Sequence, residues 1–233
     1  MRTIIIQKNI DLNGDRVPEC VTLSGERRQE SAAYTALRLT VQDGVTCRQQ
    51  ELPIPEDTGY QPRLWFGPLT APGATDVLLS IDSGGSGGIG YFFVYSHRQE
   101  QFELIFSSDA YQPRYAVAYQ DGCRVRAESL ENGMTYLIDL SDRPRPYLDP
   151  LYRADCTLIA PQAGDVNPLS ALLPVDPDGD GVYDLLAFQR VTGLYNADGL
   201  GSFINQLAWN GERFALTNQW LGIFGTAIEE NGT

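Results

Sequence analysis

Short runs of apolar residues, alternating or continuous, fill the chain and are separated by Gly, Pro, Asn and Asp. Runs such as 35–41, 91–95 and 134–140 have the length and the β-branched or aromatic content of strands. No convincing stretch carries apolar residues at the helical period, and only the segment 167–173 is a candidate for a short helical turn. The pattern therefore predicts an all-β protein.

Tight turns are also visible in the sequence. Four dipeptides of the kind that accepts positive φ stand between strand-like runs, and each predicts a hairpin. They are Asp43-Gly44, Asp121-Gly122, Asn132-Gly133 and Asn210-Gly211.

Two acidic segments, each followed by an apolar strand, form an internal repeat. One is 11–19, with the sequence DLNGDRVPE, and the other is 176–184, with the sequence DPDGDGVYD. A third, eroded copy at 68–76 keeps only its last acidic residue, Asp76. From Glu19 to Asp76 is 57 residues, and from Asp76 to Asp184 is 108, or two steps of 54.

This spacing predicts the architecture. A period of about 55 residues fits the chain four times and matches one four-stranded antiparallel sheet per repeat, close to the size of a propeller blade. We therefore predict a single β-propeller-like domain over 1–233, an array of about four four-stranded antiparallel blades at approximately 1–60, 61–113, 114–165 and 166–233. Five blades, with the terminal strands sharing one, is the alternative.

The acidic segments suit a hard cation. Carboxylates at alternate positions of a curled loop converge on one point, and Ca²⁺, which takes about six to eight oxygens in flexible geometry, removes their repulsion. Gly179 and Gly181 permit the curl. An EF-hand needs a glutamate at the twelfth position, where these segments have Thr22 and Ala187. The predicted ligands, at loop positions 1, 3, 5, 7 and 9, are Asp11, Asn13, Asp15, the Val17 carbonyl and Glu19, and Asp176, Asp178, Asp180, the Val182 carbonyl and Asp184.

This prediction has one alternative, and it does not extend to the eroded copy. The acidic segments could be Asx-rich turns without a metal. In the eroded copy, Pro68, Thr70 and Pro72 stand at the ligand positions, so we expect a structural turn without metal there.

Both acidic loops and their following strands resemble the FG-GAP/VCBS-type repeats of calcium-binding β-propellers, which also occur in integrin α-subunit heads. The whole chain is similar to bacterial VCBS repeat-containing proteins of about this length. The resemblance implies a propeller fold and calcium at the same five loop positions, and it implies little about activity. Arg16 in the first loop, the eroded copy at 68–76 and the absence of an acidic loop near Glu131, one repeat after Asp76, depart from the family pattern.

The composition of the chain limits the kinds of partner that we expect it to bind. The 233 residues carry a net charge of −13, and a surface this acidic repels phosphate backbones, which argues against nucleic acid and fits cation binding. No apolar run reaches the roughly 18 residues of a membrane-spanning helix. The apolar run at 4–6 is too short for an export signal and predicts a strand. We expect a monomer.

Four cysteines stand in no CxxC pair and match no zinc spacing. Their even number permits two disulfides, but their density is not that of a disulfide scaffold, so buried free thiols are the simpler expectation. They are Cys20, Cys47, Cys123 and Cys156.

Two glycine-rich segments, 82–88 and 194–201, are expected to be turns that connect strands, with ligand-binding loops as the alternative. In the second of them, a structural Asx turn at Asn196 and Asp198 is favoured over further cation ligands.

Catalytic candidates are few. A nucleophilic triad would need His97, the only histidine, which lies in a segment expected to be a surface hairpin turn. A carbohydrate-active or other hydrolase, with paired carboxylates at the central propeller face, is the alternative, but no spacing singles out a pair. The preferred function is a non-enzymatic calcium-binding module with a binding or structural role, and its unknown ligand is expected to be a protein or a carbohydrate. Calcium sites favour an extracellular or cell-envelope location, and the absence of an export signal favours the cytoplasm instead.

Overall fold

The computed structural model describes residues 2–27, 31–85, 87–223 and 225, and strands dominate it. In the strand Glu19–Arg27, for example, Val21 and Leu23 are buried while Thr22 and Ser24 are half-buried. Apolar residues at every second position place one face of a strand in the core, which is why these runs form strands. The all-β prediction is confirmed. The strands are β1 (Arg2–Ile10), β2 (Glu19–Arg27), β3 (Tyr34–Gln42), β4 (Gln49–Leu52), β5 (Tyr60–Gly67), β6 (Asp76–Asp82), β7 (Gly90–Arg98), β8 (Gln101–Ser107), β9 (Tyr115–Gln120), β10 (Arg124–Ser129), β11 (Thr135–Asp139), β12 (Asp165–Val175), β13 (Asp184–Thr192), β14 (Gly199–Trp209) and β15 (Phe214–Gly222), with one helical turn, α1 (Arg145–Leu148).

The strands form four antiparallel sheets, each built from consecutive strands. The first sheet has the order β1-β2-β3-β4, the second β5-β6-β7-β8 and the fourth β12-β13-β14-β15. The third sheet has the order β11-β10-β9, and a bridge between Ala118 and Ala163 adds a short segment beside β9. All four predicted hairpin dipeptides connect neighbouring strands, and Gly122, Gly133 and Gly211 have the positive φ that such turns require.

The chain divides into two compact units. The first consists of Met1–Gln112, Pro168–Ala187 and Asn205–Asn218, and the second of Pro113–Asn167, Phe188–Ile204 and Gln219–Thr233. The first and second sheets lie in the first unit and the third sheet lies in the second, whereas the strands of the fourth sheet contribute residues to both.

In the first unit the second sheet is buried on both faces. Val77 and Leu79 of β6 pack in one core cluster with Leu23 and Leu39 of the first sheet. Leu78, which points the opposite way, belongs to a second cluster that contains residues of the fourth sheet. This double burial explains why β6 is a continuous apolar run rather than an alternating one.

In the second unit, the third sheet packs with Val191 and Phe203 of the fourth sheet. A disulfide joins Cys123 to Cys156 in this unit, while Cys20 is half-buried and Cys47 is exposed, both as free thiols. The expectation of four buried free thiols is therefore wrong. Cys123 and Cys156 are 33 positions apart, and only the tertiary fold brings their Cα atoms within 5.0 Å.

The candidate helical turn at 167–173 is also wrong, because these residues belong to β12. Asn167 and Leu169 are buried while Pro168 is exposed, which is the period of a strand. β12 is an edge strand of its sheet, and an edge tolerates a proline that cannot donate a hydrogen bond.

Candidate metal centre

The first acidic loop, residues 11–18 between β1 and β2, is shaped by its own side-chain oxygens. The Asp11 carboxylate accepts hydrogen bonds from the amides of Gly14 (2.8 Å) and Arg16 (2.9 Å). The Asn13 side-chain oxygen accepts from the Asp15 amide at 2.9 Å, and the Asp15 carboxylate accepts from the amide two residues further on at 2.7 Å. Such Asx turns draw alternate side chains to one side of a loop.

The last acidic loop, residues 176–183 between β12 and β13, is closed by the same bonds. The Asp176 carboxylate accepts from the amides of Gly179 (2.8 Å) and Gly181 (3.2 Å). Asp178 accepts from the Asp180 amide at 3.3 Å, and Asp180 accepts from the amide two residues further on at 2.7 Å. Because each bond joins the same loop positions, the two segments are structural copies of one another.

The backbone agrees with this correspondence. The fourth and sixth residues of both loops have positive φ: 83° and 73° for Gly14 and Arg16, and 75° and 84° for Gly179 and Gly181. A non-glycine residue in this region costs about 1–2 kcal/mol. Arg16 therefore makes the first loop the more strained copy.

In the last loop, three of the predicted ligands converge. Asp176, Asp178 and Asp180 each offer a carboxylate oxygen, and these oxygens lie within 4.8 Å of one another. Asp184 is not part of this group, and its carboxylate instead accepts a hydrogen bond from the Gln206 side chain at 2.6 Å. Val182 donates its amide to Asp180. The sequence therefore predicted this carboxylate cluster from three alternate positions.

In the first loop, the converging carboxylates differ from the predicted set. Asp15 and Glu19 meet Asp43, from the turn between β3 and β4, within 4.8 Å, and Asp11 lies outside this group. The side-chain nitrogen of Asn13 lies 3.1 Å from Glu19, 3.4 Å from Asp43 and 3.4 Å from Asp15. An N–H donor group thus occupies the position among three carboxylates that a cation would take.

Sequence reasoning missed Asp43 because it assigned this residue only to a hairpin turn. One oxygen of Asp43 accepts from the Thr46 hydroxyl at 2.7 Å, and this bond lowers the pKa of the Asp43 carboxyl from its usual value. The other oxygen faces Asn13. A Cβ on Gly44 would lie 2.5 Å from the Pro18 carbonyl oxygen, so only glycine lets this turn approach the first acidic loop so closely. The Asp-Gly dipeptide was the available signal.

The eroded loop, residues 68–75 between β5 and β6, lacks the alternating carboxylates and their Asx turns but shares one anchoring contact with the first loop. Asp76 is buried, and its carboxylate accepts from the amides of Leu69 and Thr70, each at 2.8 Å, and from the Thr70 hydroxyl. In the first loop Glu19 accepts from the Leu12 amide at 2.7 Å, which is the same contact at the same loop positions. The last acidic residue therefore anchors these two loops, with or without a metal.

Asp184 departs from this anchoring for a local reason. The residue that would donate to it, Pro177, has no backbone N–H. Its carboxylate instead accepts a hydrogen bond from the Gln206 side chain, and Asp184 lies outside the cluster.

Two other sequence candidates are placed by the fold. Asp198 is buried and accepts hydrogen bonds from the Leu194 amide (2.9 Å), the Tyr147 hydroxyl (2.9 Å) and the Tyr119 hydroxyl (3.4 Å), so its carboxylate is engaged in a structural network. Burial raises the pKa of Tyr119 to about 12. His97 lies in β7 rather than in a turn.

The turn expected around His97 is displaced towards the C-terminus. Arg98 pairs with Gln101, so Gln99 and Glu100 form the two-residue connection to β8. Both have positive φ, 47° and 68°, as such hairpins require. Neither Gln nor Glu is typical of this turn, which is why the sequence did not reveal its position.

No helix in the described residues is long and apolar enough to cross a membrane.

The fold and the candidate site define a class of protein, an all-β chain of antiparallel sheets with duplicated Asx-turn loops that cluster carboxylates.

Within this class, the chain belongs to the YybI family. It is 40% identical over 229 residues, which are 97% of this chain and 87% of the relative, to a protein of Bacillus subtilis (strain 168) described as uncharacterized protein YybI. Residues 113–222 match the family described as the YybI C-terminal domain, which begins where the second unit begins. No solved structure matches the chain.

Proposed function

We propose that the protein is a non-enzymatic module that binds Ca²⁺ in the first and last acidic loops and uses the ion to hold those loops. The observation that carries the proposal is the convergence of Asp176, Asp178 and Asp180 within 4.8 Å. Three carboxylates at this distance repel one another, and a hard divalent ion relieves the repulsion. The first acidic loop repeats the hydrogen bonds and the backbone conformation of the last one, which supports a common function for the two loops.

The ligands proposed for the first site change with the geometry. Asp15, Glu19 and Asp43 supply the carboxylates, and the Asn13 amide rotates so that its oxygen faces the ion. This arrangement connects the loop between β1 and β2 to the turn between β3 and β4. Calcium at this site therefore joins two loops of the first sheet, whereas the last site acts within one loop.

The sheets suit a propeller-like array in which each sheet is a blade. Consecutive strands form each sheet, and the second sheet is covered on both faces, as an inner blade is. The first sheet has one buried face, and its other face carries the half-buried or exposed residues Thr22, Ser24 and Arg38. The partner that we propose is a protein or a carbohydrate, bound by a monomer.

We propose an extracellular or cell-envelope location. The disulfide between Cys123 and Cys156 supports it, because disulfides persist in oxidising compartments. Calcium sites built from exposed loops also require the higher calcium concentrations outside the cell.

Calorimetric titration of the EGTA-treated protein with CaCl₂ tests the calcium proposal. We expect two sites, one of which disappears in Asp178→Asn and the other in Asp43→Asn, because each substitution removes one carboxylate from one cluster. Asp142→Asn, at an exposed position outside both clusters, is the matched control and should keep both sites. Absence of calcium binding at millimolar concentrations, or equal loss in the control, contradicts the proposal.

A further inference from the structure

A cavity of about 370 Å³ lies in the first unit beside the first acidic loop. Small-molecule sites in proteins begin at about 300 Å³, so the cavity can hold a molecule about the size of a monosaccharide. Three segments line it: residues 11–14, residues 70–76 without Pro72, and Ser96 to Arg98 at the end of β7. Trp209 completes the lining.

The part of the cavity lining that comes from β7 carries polar side chains without a hydrogen-bond partner among the described residues. Ser96 is 4% exposed, and among the described residues its hydroxyl has no hydrogen-bond partner. Its hydroxyl oxygen is not fully enclosed by protein, so it is accessible to a molecule in the cavity. His97 contributes a ring that packs on Phe102, with centroids 5.0 Å apart, and its nitrogens have no partner in the described part of the chain.

Arg98 is the charged group of this wall. Its guanidinium lies over the Trp209 ring, 4.7 Å from the centroid, and forms no ion pair with a described carboxylate. Arginine stacked on an aromatic ring keeps its N–H groups available at the edge of its plane.

The two acidic residues of the lining, Asp11 and Asp76, accept hydrogen bonds from backbone amides of their own loops. Asp76 accepts hydrogen bonds from the Leu69 and Thr70 amides and from the Thr70 hydroxyl. The two oxygens of Asp11 accept from the Gly14 and Arg16 amides. The uncommitted side-chain groups from β7 are therefore N–H and O–H groups next to a positive charge.

We propose that this cavity binds a small anionic molecule, whose carboxylate or phosphate group is held by Arg98 and Ser96. Arg98 supplies paired N–H donors in a plane, the geometry that matches both groups. Ser96 donates its hydroxyl to the same anion and so gains the partner that it lacks. The groups proposed to hold the anion belong to β7, whereas Asn13 of the proposed first calcium site lines another part of the same cavity, so the titration is carried out without calcium.

Calorimetric titration in EGTA with D-glucuronate, D-glucose 6-phosphate, D-glucose, acetate and inorganic phosphate tests the proposal. The first three probes share a sugar ring and differ in charge, so they separate recognition of a carboxylate from recognition of a phosphate and from recognition of a sugar alone. We expect saturable binding of at least one charged probe and none of glucose. Binding of glucose with equal affinity, or no saturable binding of any charged probe up to about 10 mM, overturns the proposal.

Variants locate the binding. Arg98→Gln should weaken the bound probe about tenfold or more, because it removes a charge-assisted hydrogen bond, and Ser96→Ala should weaken it severalfold. Arg153→Gln, at an exposed position in the second unit, is the matched control and should leave the affinity unchanged. Thermal melts establish that each variant is folded. Ser96→Ala keeps the contact between Arg98 and Trp209, so it tests the hydroxyl without disturbing the arginine. If both variants are folded and both bind the probe with unchanged affinity, the assignment of the site is refuted.

Discussion

The double substitution Asp178→Asn and Asp180→Asn is predicted to have opposite effects on stability with and without calcium. Both asparagines keep a side-chain oxygen that can accept the amide bonds of the loop, so its fold should survive. The substitution removes two of the three charges that converge in the last loop.

The magnitude follows from the spacing of the carboxylates. Two unit charges at the 4.8 Å limit of the cluster repel by about 1 kcal/mol in a water-like dielectric, which suits side chains as exposed as these. Salt at physiological strength screens roughly half of this. The double variant eliminates every pair in the cluster, so without calcium it should be more stable than the wild type by about 1–2 kcal/mol, or roughly 2–8 °C in Tm.

With calcium present, the wild type should be more stable than the double variant. An ion present at about 100 times its Kd adds roughly 2.7 kcal/mol to the free energy of unfolding for each site. The wild type has two proposed sites and the double variant keeps one, so the variant should lose about half of the calcium-induced rise in Tm. Differential scanning calorimetry in EGTA and in about 10 mM CaCl₂ measures both effects, since calcium sites of extracellular modules have Kd values near 0.1–1 mM.

Two outcomes would refute the reasoning. A double variant that is less stable than the wild type in EGTA would show that the three carboxylates do not repel in the folded protein. A variant that keeps the full calcium-induced shift would show that the ion binds elsewhere. Asp142→Asn should behave as the wild type in both buffers, and a change in this control would assign the effect to net charge.

Three further predictions concern the stability of the fold. Gly181→Ala should lower the free energy of unfolding by about 1 kcal/mol in a urea titration, because a Cβ there meets no atom within 4 Å and only the positive φ opposes it; a loss below a few tenths of a kcal/mol would contradict this. Cys156→Ser should cost about 3–4 kcal/mol, from the loop of 33 positions that the disulfide closes, and dithiothreitol should reproduce the loss in the wild type but not in the variant. Burial raises the pKa of Tyr119 to about 12 from the 10 of an exposed tyrosine, so its contribution to stability is complete below pH 10 and falls as the pH rises from 10 to 12; the slope of stability against pH in that window should be smaller in Tyr119→Phe, and an unchanged slope would refute the assignment.

Local chemistry made much of the structure predictable. The four Asp-Gly and Asn-Gly dipeptides marked connections between neighbouring strands, and at Gly122, Gly133 and Gly211 the reason is the positive φ that a tight turn needs. The two acidic loops were equally local, since each Asx turn joins residues two to five positions apart. The segment at 167–173 was harder, because a short apolar run with a proline does not distinguish an edge strand from a helical turn.

Some of the candidate metal ligands were predictable from local sequence, and others depend on the tertiary structure. Asp176, Asp178 and Asp180 converge within one loop, and their alternation in the sequence was sufficient to predict it. Asp43 comes from a different turn, and only the antiparallel pairing of β2 with β3 brings it beside Glu19 and Asp15. Asp184, a member of the predicted set, lies outside the cluster and accepts a hydrogen bond from Gln206 of β14, a contact that only the pairing of strands creates.

The sequence by itself determined the class of fold, the turns and the curled acidic loops, because these depend on neighbours a few residues away. Tertiary structure alone decided the disulfide between Cys123 and Cys156, the entry of Asp43 into the first cluster and the cavity beside Arg98. Each of these joins residues from separate connections or strands, and their distances depend on how sheets pair and pack. The repeated loop thus identifies two candidate calcium sites, and the packed fold decides which carboxylates complete them.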